Sequence, residues 1–461
     1  MIEKELLKKI NTEHATEIFT DLYGEENIES ARKRYTTLIT KMLDNKQDFC
    51  ENRLCDAPEN LHIFSAPGRT ELAGNHTDHN NGKVLAASIQ LDNVAVVQKR
   101  NDNTVFFRST NFSDVKVKLT DTNGEVNLQP KPEENGTTEA LVRGIASELN
   151  RRMENAVHGS AVGGFSANAD STVLPGSGLS SSAAMEALLC RIFDSLYGEG
   201  KRSSLEIAQI GQIAENDYFG KPCGLMDQIA CATGGSVAID FSDTAHPKVK
   251  QINFNLTAAG YALCVVNTGG SHADLTADYA SIPAEMKATA AFFGKSVLGE
   301  LDKETVLSRA AGIRKALGDR ALLRVLHFFD ENARVDTMTA ALTEMENAVT
   351  AAAKQQALYS YLNLVNESGS SSWELLQNIY PPSRPETQGI GVALALTRDF
   401  FKKQKLYGAC RVHGGGFAGT IQAYIPIDAM SAYRTQIESV FGTDSVTVLR
   451  IRDRGAVELI F

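Results

Sequence analysis

The sequence lacks any run of 18 apolar residues, so it predicts no membrane-spanning segment. Positive charge is also scarce. Against 56 Asp and Glu stand 46 Lys and Arg, a formal net charge of −10, and no basic cluster interrupts this balance. A nucleic-acid-binding role therefore has no electrostatic support, because such proteins neutralise phosphates with Lys and Arg. A small anionic ligand is not excluded, since backbone amides or a metal can hold a phosphate locally.

No C-x-x-C pair occurs among the seven scattered cysteines. Their odd number and spacing predict reduced, mostly buried thiols. The first ten residues, MIEKELLKKI, lack the apolar core and the small-residue cleavage site of a signal peptide. We therefore expect a cytoplasmic protein. The sequence does not determine the oligomeric state, and we take a monomer as the expectation.

The 461 residues predict two or three domains, with no internal repeat. Strands and helices mix without a regular βαβ period, which predicts an α+β fold rather than a doubly wound α/β sheet. Residues 1–60 are typical of polar helices, and apolar periodicity predicts helices over 179–197 and 203–218. Ser203 and Glu206 are predicted to form a capping box. The segment YALCVVNT (261–268) is predicted to be a strand. A change in composition near residues 258–262 marks the candidate domain boundary.

GGGFAG (414–419) matches the glycine pattern of a dinucleotide-binding fingerprint, which needs a strand before it and a helix opening within it. The residues that follow, TIQAYIP, alternate like a strand instead. The motif is therefore predicted to be a tight backbone segment between two strands.

Two further short motifs have structural interpretations. GKS (294–296) resembles the end of a P-loop, but it follows a helix-like run and is predicted to be a helix terminus. HTDH (76–79) suggests zinc, but structural zinc sites usually need four ligands, and neither a Cys nor a third His lies near it.

The strongest chemical signal is LPGSGLSSSAAMEALL (174–189), a Gly- and Ser-rich turn that leads into an apolar-periodic helix. Free N–H groups at a helix N-terminus form an anion site, and Gly176 and Gly178 let the backbone approach phosphate oxygens. The hydroxyls of Ser180, Ser181 and Ser182 can donate to phosphate or bind Mg²⁺. Without a P-loop lysine the segment is not a Walker A site. The alternative is an ordinary Ser-rich helix cap.

Two other segments are rich in polar side chains. PGRTELAGNHTDHNNG (67–82) suits a hydroxyl-rich ligand such as a sugar, although a solvated turn has the same composition. In AENDYFGKPCGLMDQIA (214–230), Glu215 lies late on a predicted helix and Asp227 in the loop beyond. Two such acids would serve phosphoryl transfer, one for the metal and one for the attacking hydroxyl. The alternative is that both are surface charges.

Taken together, three long motifs resemble the GHMP kinase superfamily and, within it, the galactokinases. SAPGRTELAGNHTDHNNGKVLAASI looks like the galactokinase signature near the sugar site. LPGSGLSSSAA is similar to the phosphate loop of the superfamily, and GACRVHGGGFAGTI to its C-terminal glycine motif. The match covers roughly residues 36–460 in consistent order.

The resemblance implies a two-domain α+β fold with the active site between the domains. The N-terminal domain would be like ribosomal protein S5 domain 2 and the C-terminal domain ferredoxin-like. The predicted division is a helical extension over 1–35, a sugar- and ATP-binding domain over 36–258 and a GHMP kinase C-terminal domain over 259–461.

The resemblance also implies an ATP- and Mg²⁺-dependent kinase that acts on the anomeric hydroxyl of galactose. Asp227 would be the catalytic base or the charge that orients O1, and Arg69 would stabilise the transferring phosphoryl and keep Asp227 ionised. The remaining implied roles are phosphate binding by Gly176, Ser177, Gly178, Leu179, Ser180, Ser181 and Ser182, metal binding by Ser182 and Glu215, and sugar binding by Asn75, His76, Asp78, Gly224, Asp227 and Tyr279. Gly414, Gly415 and Gly416 would form a structural glycine motif, in which Gly415 and Gly416 brace the phosphate loop from the other domain.

The chain departs from the galactokinase pattern at several of these positions. Galactokinases usually carry Glu in place of Asn75, Asn in place of Glu71 and Tyr in place of His79, and Thr and Gly in place of His413 and Ala418. Asn75 can still hydrogen-bond a hydroxyl, and it would tolerate a C6 carboxylate better than Glu would. Because Asn75 can still hydrogen-bond a sugar hydroxyl, galactose remains the expected substrate. The alternatives are a kinase for galacturonate, N-acetylgalactosamine or arabinose, and a non-catalytic sensor of galactose and ATP.

Overall fold

The structure is a computed structural model that describes residues 2–44, 61–121, 127–154, 162–173, 176, 178–270 and 275–461. Its helices are α1 (Ile2–Lys9), α2 (Glu13–Tyr23), α3 (Ile28–Asp44), α4 (Thr138–Glu154), α5 (Ser181–Tyr197), α6 (Ser204–Ile213), α7 (Met226–Thr233), α8 (Thr276–Phe292), α9 (Lys303–Ser308), α10 (Ala310–Leu317), α11 (Asp319–Asn347), α12 (Ala351–Ser371), α13 (Gly389–Gln404) and α14 (Met430–Phe441). Its strands are β1 (Leu61–Ala73), β2 (Lys83–Lys99), β3 (Thr104–Ser109), β4 (Val115–Lys118), β5 (Phe165–Ser171), β6 (Ser236–Asp240), β7 (Lys248–Ile252), β8 (Tyr261–Asn267), β9 (Ala409–Val412), β10 (Thr420–Pro426), β11 (Val446–Leu449) and β12 (Val457–Leu459).

The strands form two sheets. The larger has eight strands in the order β12-β1-β2-β5-β3-β4, with β6 also paired to β2 and β7 to β6. Its β3 and β5 run parallel and its other described pairs are antiparallel. The smaller sheet has the antiparallel order β11-β8-β10-β9. The α+β prediction is confirmed, since helices pack on both sheets without a repeating βαβ unit.

Strand β1 is irregular on both sides of its charged residues Arg69 and Glu71. Its pairing with β2 shifts register between Pro67 and Arg69, and again between Glu71 and Ala73. A bulge bends a strand and re-aims its side chains, and such bulges are frequent beside active sites. The two shifts flank Arg69 and Glu71, so the local backbone decides where these charged side chains point.

Helices α1–α3 pack on the larger sheet rather than forming a separate body. A buried apolar cluster joins Phe19 and Tyr35 of these helices to Val94 on β2 and Leu459 on β12. The predicted boundary between residues 35 and 36 falls inside α3, and β12, near the C-terminus, pairs with β1. The division into an extension and two domains therefore stays a prediction.

Several local predictions are confirmed. The predicted strand over 261–268 is β8, and GGGFAG lies between β9 and β10 with strand β10 directly after it. The Ser203 capping box is present, because the Glu206 amide donates to Ser203 Oγ at 3.3 Å and the Ser203 amide donates to Glu206 Oε2 at 2.9 Å. The five cysteines that the structure describes are free thiols, and four of them are buried.

Two helix predictions need correction. The helix predicted over 203–218 ends as an α-helix at Ile213 and continues as a π-helical turn over 214–219, which contains Glu215. Asp227 lies in the first turn of α7, not in a loop. Wide π turns depend on tertiary packing and often occur at functional sites, so the periodicity of the sequence does not reveal them. Within the described ranges, no helix is both long and apolar enough to span a bilayer.

Candidate active site

A cavity of about 210 Å³ lies where β1 and the turn after it meet the start of α7 and the glycine segment between β9 and β10. This volume is below the range of drug-sized ligand pockets and suits a smaller molecule. The lining residues are Arg69, Glu71, Asn75, His76, Asp78, His79, Lys221, Pro222, Cys223, Gly224, Met226, Asp227, Gly414 and Gly415.

Arg69 and Asp227 form a bidentate ion pair at this cavity. Arg69 Nε donates to Asp227 Oδ1 at 2.7 Å and Arg69 Nη2 donates to Oδ2 at 2.8 Å. Burial alone would raise the pKa of the Asp227 carboxyl, but the charge of Arg69 and the hydrogen bonds from Arg69 and Ser180 hold that pKa below its usual value. Asp227 is therefore an ionised carboxylate near neutral pH.

Arg69 also connects the cavity to the Gly-rich turn before α5. Its Nη1 donates to the carbonyl of Gly178, and its backbone N–H donates to the carbonyl of Leu179 at 3.1 Å. One side chain therefore touches β1, the Gly-rich turn and α7, which brings together three segments that are far apart in the sequence.

The Gly-rich turn leads into α5 as the sequence predicts. Gly176 and Gly178 both have φ of 72°, in the left-handed region that favours glycine. A Cβ on Gly178 would lie 3.1 Å from Nδ1 of His413, so glycine also allows this turn to approach the segment after β9. Ser177, another predicted phosphate-binding residue, lies outside the described residues.

The N-terminus of α5 has no side-chain cap. Ser180, its N-cap residue, has φ of 58°, and its Oγ donates to Asp227 Oδ2 instead of bonding to the helix amides. The first N–H groups of the 17-residue helix are thus left without a capping side chain, which is the arrangement that binds anions. Ser181 and Ser182 lie in the first turn of this helix and are half-buried.

Behind Asp227 lies a buried cluster of two carboxylates. The Nε2 of Gln228 donates to Glu186 Oε2 at 3.0 Å and to Glu215 Oε2 at 2.9 Å. Glu215 Oε1 accepts from the ammonium of Lys221 at 3.0 Å. Burial and the neighbouring charge of Glu215 raise the pKa of Glu186 well above its usual value. Its buried Oε1 has no hydrogen-bond partner in the described structure.

This cluster fits a divalent cation. Glu186 lies four residues after Ser182 on α5, so the two share one face of the helix. Carboxylate and hydroxyl oxygens are the ligands that Mg²⁺ prefers, and the Oε1 of Glu186 is a buried acceptor that lacks a partner. Glu186 was not among the predicted site residues, although its i, i+4 spacing from Ser182 could have indicated it.

The turn after β1 forms the opposite wall. The Nδ2 of Asn75 donates to the carbonyl of Gly414 at 2.6 Å and to Glu71 Oε1 at 3.1 Å, while its Oδ1 accepts from Asn378 Nδ2 at 2.8 Å. Glu71 also accepts from the buried Arg411, which balances its charge. The amide of Asn75 is therefore held in one orientation by protein groups.

His76 and Asp78 complete this wall. Burial lowers the pKa of His76 to about 4, so the ring is neutral and its Nε2 donates to the carbonyl of Gly415 at 3.0 Å. Asp78 Oδ1 accepts the His79 amide at 2.9 Å. A Cβ on Gly224 would lie 2.1 Å from Asp78 Oδ2, so a larger residue here would displace the Asp78 carboxylate.

Residues on α11 support the same turn from behind. His327 Nε2 donates to the backbone carbonyl of Asn75 at 2.9 Å, and Glu331 Oε1 accepts the Gly74 amide at 3.1 Å. Both side chains are fully buried. No role at the cavity was predicted for either residue, and both lie about 250 residues along the chain from the turn.

Not every predicted site residue lines the cavity. Tyr279 lies behind the glycine segment, where its hydroxyl donates to the carbonyl of Gly416 at 2.8 Å and its ring would be only 2.4 Å from a Cβ on Gly415. Of the predicted motif glycines, Gly414 lies beside Gly178 of the Gly-rich turn, whereas the nearest neighbours of Gly415 and Gly416 are Tyr279 and Asn378. The predicted residues that do line the cavity are Arg69, Asn75, His76, Asp78, Gly224, Asp227, Gly414 and Gly415.

Comparison with known proteins agrees with this geometry. A family model of the galactokinase galactose-binding signature matches residues 51–99, and a model of the GHMP kinases N terminal domain matches residues 140–235. The galactokinase of Streptomyces coelicolor is 30% identical over 394 residues, which covers 84% of this chain and 91% of that protein. The chain belongs to the galactokinase family. The galactokinase of Glaesserella parasuis is 28% identical over 380 residues, covering 81% of this chain and 87% of that protein.

Solved structures share the fold. The galactokinase of Lactococcus lactis, solved in complex with galactose, superimposes with a TM-score of 0.68 at 23% identity, covering 97% of this chain and 99% of that one. The mevalonate kinase of Methanococcus jannaschii gives a TM-score of 0.55 at 12% identity, covering 84% and 98%. The predicted family, the GHMP kinase fold and the assignment to the sugar kinases are confirmed. GHMP kinases use ATP. The roles of individual site residues stay predictions.

Proposed function

We propose that this member of the galactokinase family transfers the γ-phosphoryl group of ATP to the anomeric hydroxyl of galactose. The observation that carries the proposal is the Arg69–Asp227 pair, which joins the small polar cavity to the phosphate loop. The sugar would occupy the cavity with O1 toward Asp227. The triphosphate would lie along the uncapped N-terminus of α5.

Asp227 would accept a hydrogen bond from the attacking hydroxyl, and take its proton as the new bond forms. Arg69, which keeps this carboxylate ionised, is also positioned to stabilise charge on the phosphoryl group. Phosphoryl transfer needs little covalent help from the protein, so positioning and charge stabilisation account for most of the catalysis.

Mg²⁺ would be held by Ser182 and Glu215, with Glu186 directly beside them. When bound, the ion neutralises charge on the phosphates of ATP. Gln228 fixes the orientation of both carboxylates, because its one amide group donates to each of them. A cytoplasmic location and a monomeric state remain our predictions for this enzyme.

A kinase for a related sugar is the second candidate. The observation that favours it is that Glu71 is neutralised by Arg411 while Asn75 carries no charge. A carboxylate on the sugar would therefore meet less repulsion at this wall than it would beside an unpaired Glu. A non-catalytic sensor ranks below both, since Arg69, Ser182, Glu215 and Asp227 are all present.

ADP release with ATP and Mg²⁺ tests these candidates on galactose, galacturonate, N-acetylgalactosamine, arabinose, glucose and mevalonate. We expect the highest kcat/KM on galactose. A preference for galacturonate would establish the second candidate. No turnover on any of these, together with thermal stabilisation by galactose and ATP, would replace both with the sensor.

A further inference from the structure

Lys221 lines the cavity and is positively charged, but none of the roles predicted from the sequence involves it. It lies in the loop between the π turn (Ala214–Phe219) and α7, where its backbone amide donates to the carbonyl of Glu215 at 3.1 Å. Its side chain is 62% exposed and lines the cavity together with Asp227, yet its ammonium contacts the carboxylate of Glu215, which is only 3% exposed. The backbone of Lys221 is thus anchored, while its charged end is accessible from the cavity.

The two oxygens of Glu215 have different partners. Oε2 accepts from Gln228, a buried side chain that is held by Glu186 as well. Oε1 accepts from the exposed side chain of Lys221. A divalent cation that approaches Glu215 meets a fixed amide at one oxygen and a displaceable ammonium at the other. Two cations on one oxygen repel each other, so the metal and Lys221 compete for Oε1.

The released ammonium can turn into the cavity, which its own side chain lines. Asp227 and Arg69 line the same cavity, and the phosphate loop touches both of them through Ser180 and Gly178. A lysine side chain has four carbons and rotates freely, so its ammonium can leave a partner on the cavity wall for an anion inside the cavity. In a phosphoryl-transfer site that anion is the transferring phosphoryl group.

We propose that Lys221 is a movable cation of the phosphoryl-transfer site. It pairs with Glu215 before the nucleotide and its divalent cation bind, and it moves to the transferring phosphoryl group once the metal takes Glu215. This inference rests on the proposed kinase function. It concerns a residue to which the family resemblance assigns no role, and it predicts two separate consequences of removing the ammonium.

The first test measures metal binding without turnover. Mn²⁺ alone is titrated against the protein in the absence of nucleotide, with free Mn²⁺ followed by electron paramagnetic resonance. Loss of an accessible ion pair that competes with the metal should tighten Mn²⁺ binding to Lys221→Met about fivefold. In a Glu215→Gln background the same substitution should have no effect, because the shared carboxylate is gone. Unchanged or weaker binding to Lys221→Met would overturn the proposal.

The second test measures steady-state kinetics at saturating ATP and Mg²⁺. Removing one cation from a developing phosphoryl charge should lower the kcat of Lys221→Met about 10²-fold, with the KM for galactose nearly unchanged. Lys221→Arg should restore most of the kcat, since it retains the charge. A kcat equal to that of the wild type in Lys221→Met would overturn the proposal.

Lys201→Met is the matched control. Lys201 is also an exposed lysine paired with a glutamate, Glu199, but neither residue lines the cavity. It should change neither Mn²⁺ binding nor kcat. If the wild type phosphorylated no sugar, the proposed function would fail while the Mn²⁺ titration still tested the competition at Glu215, so the two failures are distinguishable.

Discussion

Two arginine–aspartate pairs, each with one member on the larger sheet, differ in what surrounds the carboxylate. At the cavity, Arg69 is 7% exposed and Asp227 is 32% exposed. Beneath the N-terminal helices, Arg452 and Asp92 are both fully buried, with Nη1 and Oδ2 2.9 Å apart. Both pairs hold an ionised aspartate in the protein interior, but only the first opens onto a space that a ligand can enter.

The buried pair is closed by further donors. Asp92 accepts hydrogen bonds from the Tyr23 hydroxyl at 2.7 Å, from Arg34 Nη1 at 2.6 Å and from Ser65. Burial would raise the pKa of Asp92, but these donors and the charges of Arg34 and Arg452 hold it below its usual value. A fully buried carboxylate that accepts hydrogen bonds from four protein side chains stabilises the fold, whereas one that faces a cavity can act on a ligand.

The largest expected effect comes from neutralising the open carboxylate. Asp227→Asn keeps the shape of the side chain but removes the charge that orients and accepts the proton of the attacking hydroxyl. We expect kcat for the best sugar substrate to fall by at least about 10³-fold. Coupled-enzyme kinetics measure the loss, with urea unfolding as the control for the fold. A kcat within tenfold of the wild type would show that Asp227 is not the essential group.

The same substitution in the buried Arg452–Asp92 pair should lower the stability and leave kcat nearly unchanged. Asp92→Asn leaves Arg34 and Arg452 without their carboxylate in a buried site, so the free energy of unfolding should fall by about 3–5 kcal/mol. The kcat per folded molecule should stay within about twofold of the wild type, because Asp92 does not line the cavity. Urea unfolding and active-site titration measure the two quantities. A large loss of kcat with unchanged stability would contradict the comparison.

The Glu71–Arg411 pair sharpens the comparison, because it is buried and yet one of its members, Glu71, lines the cavity. In Asn75→Glu, a second carboxylate would replace an amide that donates to Glu71 at 3.1 Å. The lost donor and the added repulsion should lower the free energy of unfolding by about 2 kcal/mol. The double variant Glu71→Asn/Asn75→Glu should recover part of this loss, since only one carboxylate remains.

A double-mutant cycle in urea measures the coupling between positions 71 and 75. The ratio of kcat/KM for galactose to that for galacturonate, measured on the same variants, tests whether this wall discriminates a carboxylate. Additive changes in stability would show that the two positions do not interact. An unchanged ratio would show that they do not determine the choice of sugar.

The smallest expected effect is on the pH dependence of stability, through His76, a neutral histidine that lines the cavity. Its pKa of about 4 lies below the ordinary value of 6.5, so the unfolded chain takes up a proton first as the pH falls below 6.5. Stability is therefore fully present above pH 6.5 and is lost progressively down to about pH 4. Between pH 6.5 and 5.5 this group should account for a loss of about 1 kcal/mol.

His76→Gln keeps a donor toward Gly415 but cannot be protonated in this range. Urea unfolding at the two pH values should therefore show a smaller loss in the variant than in the wild type, with other histidines contributing equally to both. Equal losses would mean that His76 titrates normally in the native protein.

Local patterns predicted those elements that local interactions determine. The capping box at Ser203, the alternation of TIQAYIP and the composition of GGGFAG are each readable within a few residues, and all three are present. The π turn over 214–219 and the helical position of Asp227 were not predictable in this way. Both depend on how α6 and α7 pack around buried Glu215 and Gln228.

The chemistry of the site was predictable only in part. The Gly-rich turn, Arg69, Asp227 and the turn after β1 were indicated by residue types in three motifs, which the cavity and the ion pair bring together. Lys221 lies within a quoted motif but carried no local signal that distinguished it from a surface charge. Glu186 also lies within a quoted motif, and its i, i+4 spacing from Ser182 was its one local signal. Their importance comes from the partners that folding places beside them.

By itself, the sequence determined the α+β class, the family and the inventory of charged and hydroxyl side chains, because these follow from residue types and short-range spacing. Only the tertiary structure decided which carboxylates face a cavity and which are enclosed by protein donors. Asp92 and Asp227 are the same residue type, and each is paired with an arginine far away in the chain. What separates them is whether neighbouring donors fill the space around the carboxylate, and that depends on packing between segments that the sequence keeps apart.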